Sequence, residues 1–189
     1  MIGNASSLLD QDYAEAIDSN YTIRLNLPEI EKHKDKLGSR RDAIFFEYPK
    51  IEARDILKVF YEAFHDKCTL ILGHNFKEAE ARAWLRVKKQ MRLNKRTWLL
   101  SDTMNRKMMS GYDGQWPSAG FSVLFLLDHL GFNNVNIFGF DWKRTPTWYD
   151  AGAPKYPDER NIIAVHNFIF EEKVIKDMVK ARMGWKIWK

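Results

Sequence analysis

Five short runs rich in β-branched and aromatic residues, Tyr21–Asn26, Ala43–Tyr48, Thr69–Gly73, Thr97–Ser101 and Val135–Phe140, alternate with stretches of helical character. Strands separated by helices cannot be joined as tight hairpins, so this alternation calls for a parallel or mostly parallel sheet. Such a sheet needs helices on both faces, which makes the fold class α/β. Ala53–Asp66 and Lys77–Asn94 have helical periodicity with charged outer faces. Ser118–Leu130 is a more apolar helix, with Ser118 as its N-cap and Gly131 as its C-cap. A last helix is expected from near Asp158 to about Met183, its core face built from Ile162, Val165, Phe168, Ile169, Ile175, Met178 and Val179. Between Pro146 and Pro157 the chain reads as a long surface loop, of a length that is functional or disordered in compact domains.

The 189 residues, 45% of them hydrophobic, suit one domain spanning the whole chain, with no second-domain boundary. No apolar run approaches the ~20 residues of a membrane-spanning helix, and no signal peptide precedes the first motif. The single Cys68 lies in an apolar run and reads as a core residue, in keeping with a reducing, cytoplasmic setting. A net charge of +5 favours anionic partners without selecting one.

Several segments could carry chemistry. Gly3-Asn4-Ala5-Ser6 is a small polar loop opening a helix, and the following strand ends on Arg24-Leu25-Asn26. Backbone N–H groups, hydroxyls and amides aimed at one point suit an anionic nucleotide. Pro117-Ser118-Ala119-Gly120 starts the apolar helix, either as a plain cap or as a second phosphate or ribose contact. Phe138-Gly139-Phe140 ends a strand, where ligands of open α/β sheets sit, and puts Asp141 and Trp142 at a pocket rim. His166 is the sharpest single candidate, because an imidazole with an ordinary pKa near ~6.5 can take a proton from a hydroxyl at neutral pH. Glu171 follows five residues later and is not expected to touch His166 on a helix, where it is free to anchor another loop. Among the remaining histidines, His33 reads as surface, His65 as a helix end and His129 as packing, while His74 follows a strand where ligands approach. Asp10-Gln11-Asp12 resembles a short cation-holding pattern but falls in a helix, so it reads as helical surface, and no metal site is expected. The chain has no phosphate-loop or dinucleotide glycine signature.

Together these segments resemble the sialyltransferase family, which uses CMP-activated sugars. Gly3–Ser6, Ile17-Asp18 and Arg24–Asn26 resemble its large motif; Pro117–Gly120 and Phe138–Phe140 resemble its small motif. Thr147-Trp148-Tyr149-Asp150 stands where its third motif belongs, and His166 with Glu171 matches its last. The resemblance implies a Rossmann-like α/β/α sandwich with a mostly parallel sheet, a variant of the GT-A type, and metal-independent, inverting transfer to an acceptor hydroxyl. His166 would be the general base. Gly3, Asn4, Ser6, Asn26, Ser118, Ala119, Gly120, Phe140 and Tyr149 would bind the nucleotide-sugar donor, with no further cofactor. Thr147 replaces the histidine that usually begins the third motif, the family's paired cysteines are absent, and only Met1 and Ile2 precede the first motif, so its usual strand is truncated.

The acceptor implied is a glycan or glycolipid. Lys180–Lys189, with Trp185 and Trp188, reads either as a tail resting on an anionic inner-membrane surface or as a solvated helix end with tryptophans folded back on the core. Arg86, Lys88, Lys89, Arg92, Lys95 and Arg96 keep open a transferase acting on modified bases in DNA. Thr147 and the shortened start keep open a nucleotide-binding module without catalysis.

Overall fold

The computed structural model describes residues 1–26, 30–46, 68–72, 97–112, 115–142 and 166–188. Strands β1 (Ile23–Leu25), β2 (Ala43–Phe46), β3 (Thr69–Leu72) and β4 (Thr97–Leu99) pair in that order, and β5 (Asn134–Ile137) pairs with β6 (Gly184–Ile187). All of these pairings are parallel, as the alternation of the sequence requires. Strand β6 is the addition, for it lies in a stretch that reads as a basic, aromatic tail.

Ile2 joins the two sheets through parallel bridges to Arg24 on one side and Phe138 on the other. Its N–H donates to Ile23 O at 2.9 Å, Gly3 N–H to Phe138 O at 2.7 Å, and Phe138 N–H to Met1 O at 3.0 Å. The Met1 amine adds a bond to Asn136 O at 2.7 Å. Both edges of this first segment are therefore paired, as a buried backbone demands.

Strand side chains alternate between two cores. Ile23, Leu25, Phe45, Val135, Ile137 and Trp185 pack with α3 (Asp102–Met109), α4 (Ala119–His129) and α5 (Phe168–Ala181). Ile2 and Phe138 belong to the other core, with Leu8, Tyr13, Ile17 and Leu37 from the 3-10 turn Ser6–Asp10, α1 (Ala14–Asp18) and α2 (Lys34–Leu37). Trp188 stacks on Phe138 with ring centroids 5.2 Å apart, and Trp185 is buried with its Nε1–H donating to Phe132 O. Both tryptophans are thus folded back onto the core.

Helix α4 has the ends its sequence calls for. Ser118 Oγ accepts from Phe121 N–H at 3.2 Å, and at the other end Gly131 (φ 76°) lets its own N–H reach Asp128 O and Phe132 N–H reach Leu127 O. Helix α5 departs from expectation. Asn167 Oδ1 accepts from Phe170 N–H and sets its start at Phe168, so His166 precedes the helix. That phase buries Glu171 and Ile175 and leaves Ile169 85% exposed rather than in the core. His129, expected to pack, is exposed at the last turn of α4, where a side chain able to carry positive charge suits the helix dipole. Asp12 Oδ1 accepts from Ala14 N–H at the start of α1. Cys68 is buried and forms no disulfide. The expected helices Ala53–Asp66 and Lys77–Asn94, the loop Pro146–Pro157, and Ile162, Val165, His65, His74, Thr147 and Tyr149 lie outside the described residues. Among the described residues no helix is long and apolar enough to cross a membrane.

Arg24 is not available to a ligand. It is fully buried, its Nε donating to Arg40 O and its Nη2 to Leu37 O and Gly38 O. Asp18 grips the same turn from the donor side, accepting from the N–H groups of Ser39 and Arg40. Burial pushes the Arg24 guanidinium down to about 10, with Asp18 opposing that shift. The Asp18 and Arg24 of the large-motif resemblance thus hold the turn 37–40, and at its centre Gly38 has φ 62°. A side chain at Gly38 would overlap the Asp18 carboxylate, whereas one at Gly131 would meet nothing within 4 Å. Gly131→Ala is therefore expected to lose only the cost of its positive φ, about 1 kcal/mol. Gly38→Ala should lose roughly 1–3 kcal/mol more. Urea unfolding of both variants checks this, and equal losses would refute the clamp.

Candidate functional site

Because the strands are parallel, Gly3-Asn4, Asn26 and Gly139-Phe140 all lie at the carboxyl edge of the joined sheets. Asn26 takes a left-handed conformation (φ 58°) and anchors its N–H on Phe45 O, turning the chain out of β1. Trp142 is also left-handed (φ 55°), an uncommon state for a large side chain, and Lys176 Nζ lies 5.5 Å from its ring centroid. Two such residues on this edge fit the tendency of backbone strain to collect at functional sites.

The Phe140 ring ties the first loop to the start of α4. A side chain at Gly3 would overlap the Gly139 carbonyl oxygen and come within 2.8 Å of Phe140 Cδ2; one at Gly120 would lie 2.6 Å from Phe140 Cε1. Both glycines are there for close approach, and the ring holds the two segments together. Asn4 and Ser6 are partly exposed in that first loop, Ala5 N–H is anchored on Gly139 O, and Ala119 is partly exposed at the first position of α4.

Glu171 organises the other side of the site. It is 2% exposed, with Oε1 accepting from Tyr112 OH at 2.9 Å and Ser118 N–H at 2.7 Å, and Oε2 accepting from Ser118 Oγ at 2.6 Å. Burial pushes its carboxyl above the usual carboxylate range, and the bonds from Ser118 and Tyr112 oppose that shift. The N–H and hydroxyl of Ser118 are therefore committed to Glu171 and Phe121. The first-turn N–H groups of Ala119 and Gly120 are what α4 presents to an anion. Glu171 anchors a loop rather than His166, as the spacing suggests.

His166, partly exposed just before α5, has Nδ1 2.8 Å from Trp116 O. A carbonyl oxygen only accepts, so Nδ1 carries the proton, and in the neutral ring the lone pair is on Nε2. Trp116 lies two residues before Ser118, so the imidazole and the start of α4 are held by one short segment. Gly3, Asn4, Ser6, Asn26, Ala119, Gly120 and Phe140 thus share the carboxyl edge with that segment, while Tyr149 lies outside the described residues, as does the basic stretch from Arg86 to Arg96.

Sequence reasoning let Glu171 anchor a loop without saying which one, and missed Tyr112 and the Trp116 carbonyl. The signal for Glu171 was its place on the buried face of α5, four residues before Ile175; an acid there must find donors. A backbone carbonyl leaves no trace in residue type.

Glu171→Ala should destabilise the fold by about 3 kcal/mol, because it strands a buried hydroxyl and a backbone N–H. The sign of the pH effect follows from the raised pKa. The folded state keeps a proton that the unfolded chain releases near 4.5, so this contribution is full below that value and lost as pH rises through the folded pKa. Wild type should therefore gain stability relative to Glu171→Gln as the pH falls from neutrality toward 4.5. Urea unfolding of both proteins across that range tests it, and a pH-independent difference would contradict it.

A family model for glycosyltransferase family 29 (sialyltransferase) matches residues 1–183. Among solved structures the chain is similar to a mammalian sialyltransferase crystallised with Gal-beta-1-3GalNAc-ortho-nitrophenol, at 16% identity and a TM-score of 0.70. That match covers 100% of this chain and 67% of the other. No curated protein matches the chain significantly.

Proposed function

The chain belongs to glycosyltransferase family 29, the sialyltransferases, and on that premise we propose that it transfers sialic acid or a related sugar from a CMP-activated donor to an acceptor hydroxyl. The observation that carries this reading is the His166–Trp116 contact, which holds a partly exposed imidazole by its Nδ1 against the segment that leads into α4. In this reading Nε2 takes the acceptor's hydroxyl proton as that oxygen attacks the anomeric carbon. The new carbon–oxygen bond forms on the face opposite the breaking bond to phosphate, so the configuration inverts and CMP leaves.

Charge on the leaving phosphate needs preorganised donors. The first-turn N–H groups of α4 and the amides of Asn4 and Asn26 are suited to supply them, and no metal ion is assigned a part. Gly3, Ser6 and Phe140 shape the same wall, with Tyr149 from the loop beyond it. The two cores on opposite faces of parallel strands support the Rossmann-like sandwich that goes with this reading. The acceptor is read as a glycan or glycolipid, by analogy with the disaccharide held by the mammalian sialyltransferase.

His166→Ala should lower CMP-sugar turnover by about 10²-fold or more, the usual worth of a general base. CMP should still raise the melting temperature of that variant, and more than UMP or GDP does, because a ligand stabilises the state it binds. Unchanged turnover would remove His166 as the base; stabilisation by another nucleotide in place of CMP would remove the donor class.

A further inference from the structure

Glu171 does more than hold α4. It receives Tyr112 OH and both donors of Ser118, so one carboxylate grips both ends of the 112–118 segment that carries Trp116. The Trp116 carbonyl is in turn the acceptor for His166 Nδ1. We propose that Tyr112 is a positioning residue, which closes its end of this segment on Glu171 and thereby sets the Trp116 carbonyl that fixes the tautomer of His166.

Tyr112 is built into that place. It is 9% exposed, and its ring meets Phe121 and Phe170 edge-on at 5.6 and 5.0 Å. Phe121 belongs to α4 and Phe170 to the first turn of α5, so the ring spans the two helices whose starts flank His166. The preceding residue is Gly111, where any side chain would overlap the Phe170 ring. Packing alone would seat a phenylalanine here equally well. The hydroxyl adds a directional tie to the same oxygen that holds Ser118 N–H, and that tie joins the two ends of the segment. With it gone, the Tyr112 end of the segment loses its tie to the carboxylate that holds Ser118. A small displacement of the Trp116 carbonyl weakens a bond whose strength falls steeply with angle and distance. The imidazole then samples the other tautomer, with the proton on Nε2, and that form cannot act as the base.

The role in catalysis rests on His166 being the base, so the first readout is independent of turnover. Nitrogen-15 NMR of the imidazole, assigned by loss of its signals in His166→Asn, distinguishes the tautomers directly. Wild type should show the proton on Nδ1. Tyr112→Phe, which keeps the ring, should show a mixture with Nε2–H, and Glu171→Gln should shift the same way should Tyr112→Phe fail to fold. Phe170→Leu loosens the packing but keeps the hydroxyl, and should leave the tautomer unchanged. In turnover, Tyr112→Phe should lower kcat by about tenfold, the scale of a modest misplacement, with KM altered less than twofold. A wild-type tautomer in Tyr112→Phe, or in Glu171→Gln where that variant replaces it, would overturn the proposal. So would an equal shift in Phe170→Leu, which would mark general loosening. A shifted tautomer in a protein without CMP-sugar turnover would leave the brace standing and remove the catalytic reading instead.

Discussion

The pairing of Ile2 on both sides is the constraint from which the rest of the arrangement follows. A strand of two residues can be an interior strand only where both neighbours supply bonds in register, and here β1 and the end of β5 do so. That double pairing joins a four-stranded and a two-stranded sheet into one carboxyl edge. It also brings Gly3 against Gly139 and the Phe140 ring, and through that ring against Gly120 at the start of α4. The first segment is thus held by its neighbours, and the loops at Gly3 and Gly139 meet because of it.

The second organising element is a buried charge. Placing a carboxyl in the core is unfavourable unless donors compensate it. Glu171 has three, all from the segment between α3 and α4, so the unfavourable term turns into a geometric requirement on that segment. The same logic holds on the opposite face, where buried Arg24 finds three carbonyls of the turn 37–40 and Asp18 finds its N–H groups. In both places a charged residue of a resemblance motif shapes backbone rather than touching a ligand. Motif residues can mark a site because they build its walls.

Much of the scaffold was legible. The five runs became β1 to β5, because near-continuous apolar, β-branched and aromatic character reports burial on both faces of a sheet. Ser118 and Gly131 delimited α4 because caps are local chemistry. The last strand was not legible: Gly184–Ile187 has lysine at its centre and becomes a strand because β5 offers a free edge. The start of α5 and the exposure of Ile169 were misread for a related reason, since the cap on Asn167 sets the helical phase, and a shift of phase moves side chains between faces.

From the sequence alone came the α/β class, the strand runs, the caps of α4, and His166 as the candidate for proton transfer; all of these depend on residue type and short spacings. Only the tertiary structure decided that Arg24 faces inward, that Glu171 grips both ends of the Tyr112–Ser118 segment, and that His166 Nδ1 meets Trp116 O. Those are relations between groups 13 to 59 residues apart. A sequence states which donors and acceptors exist; the closing of the chain decides which of them meet.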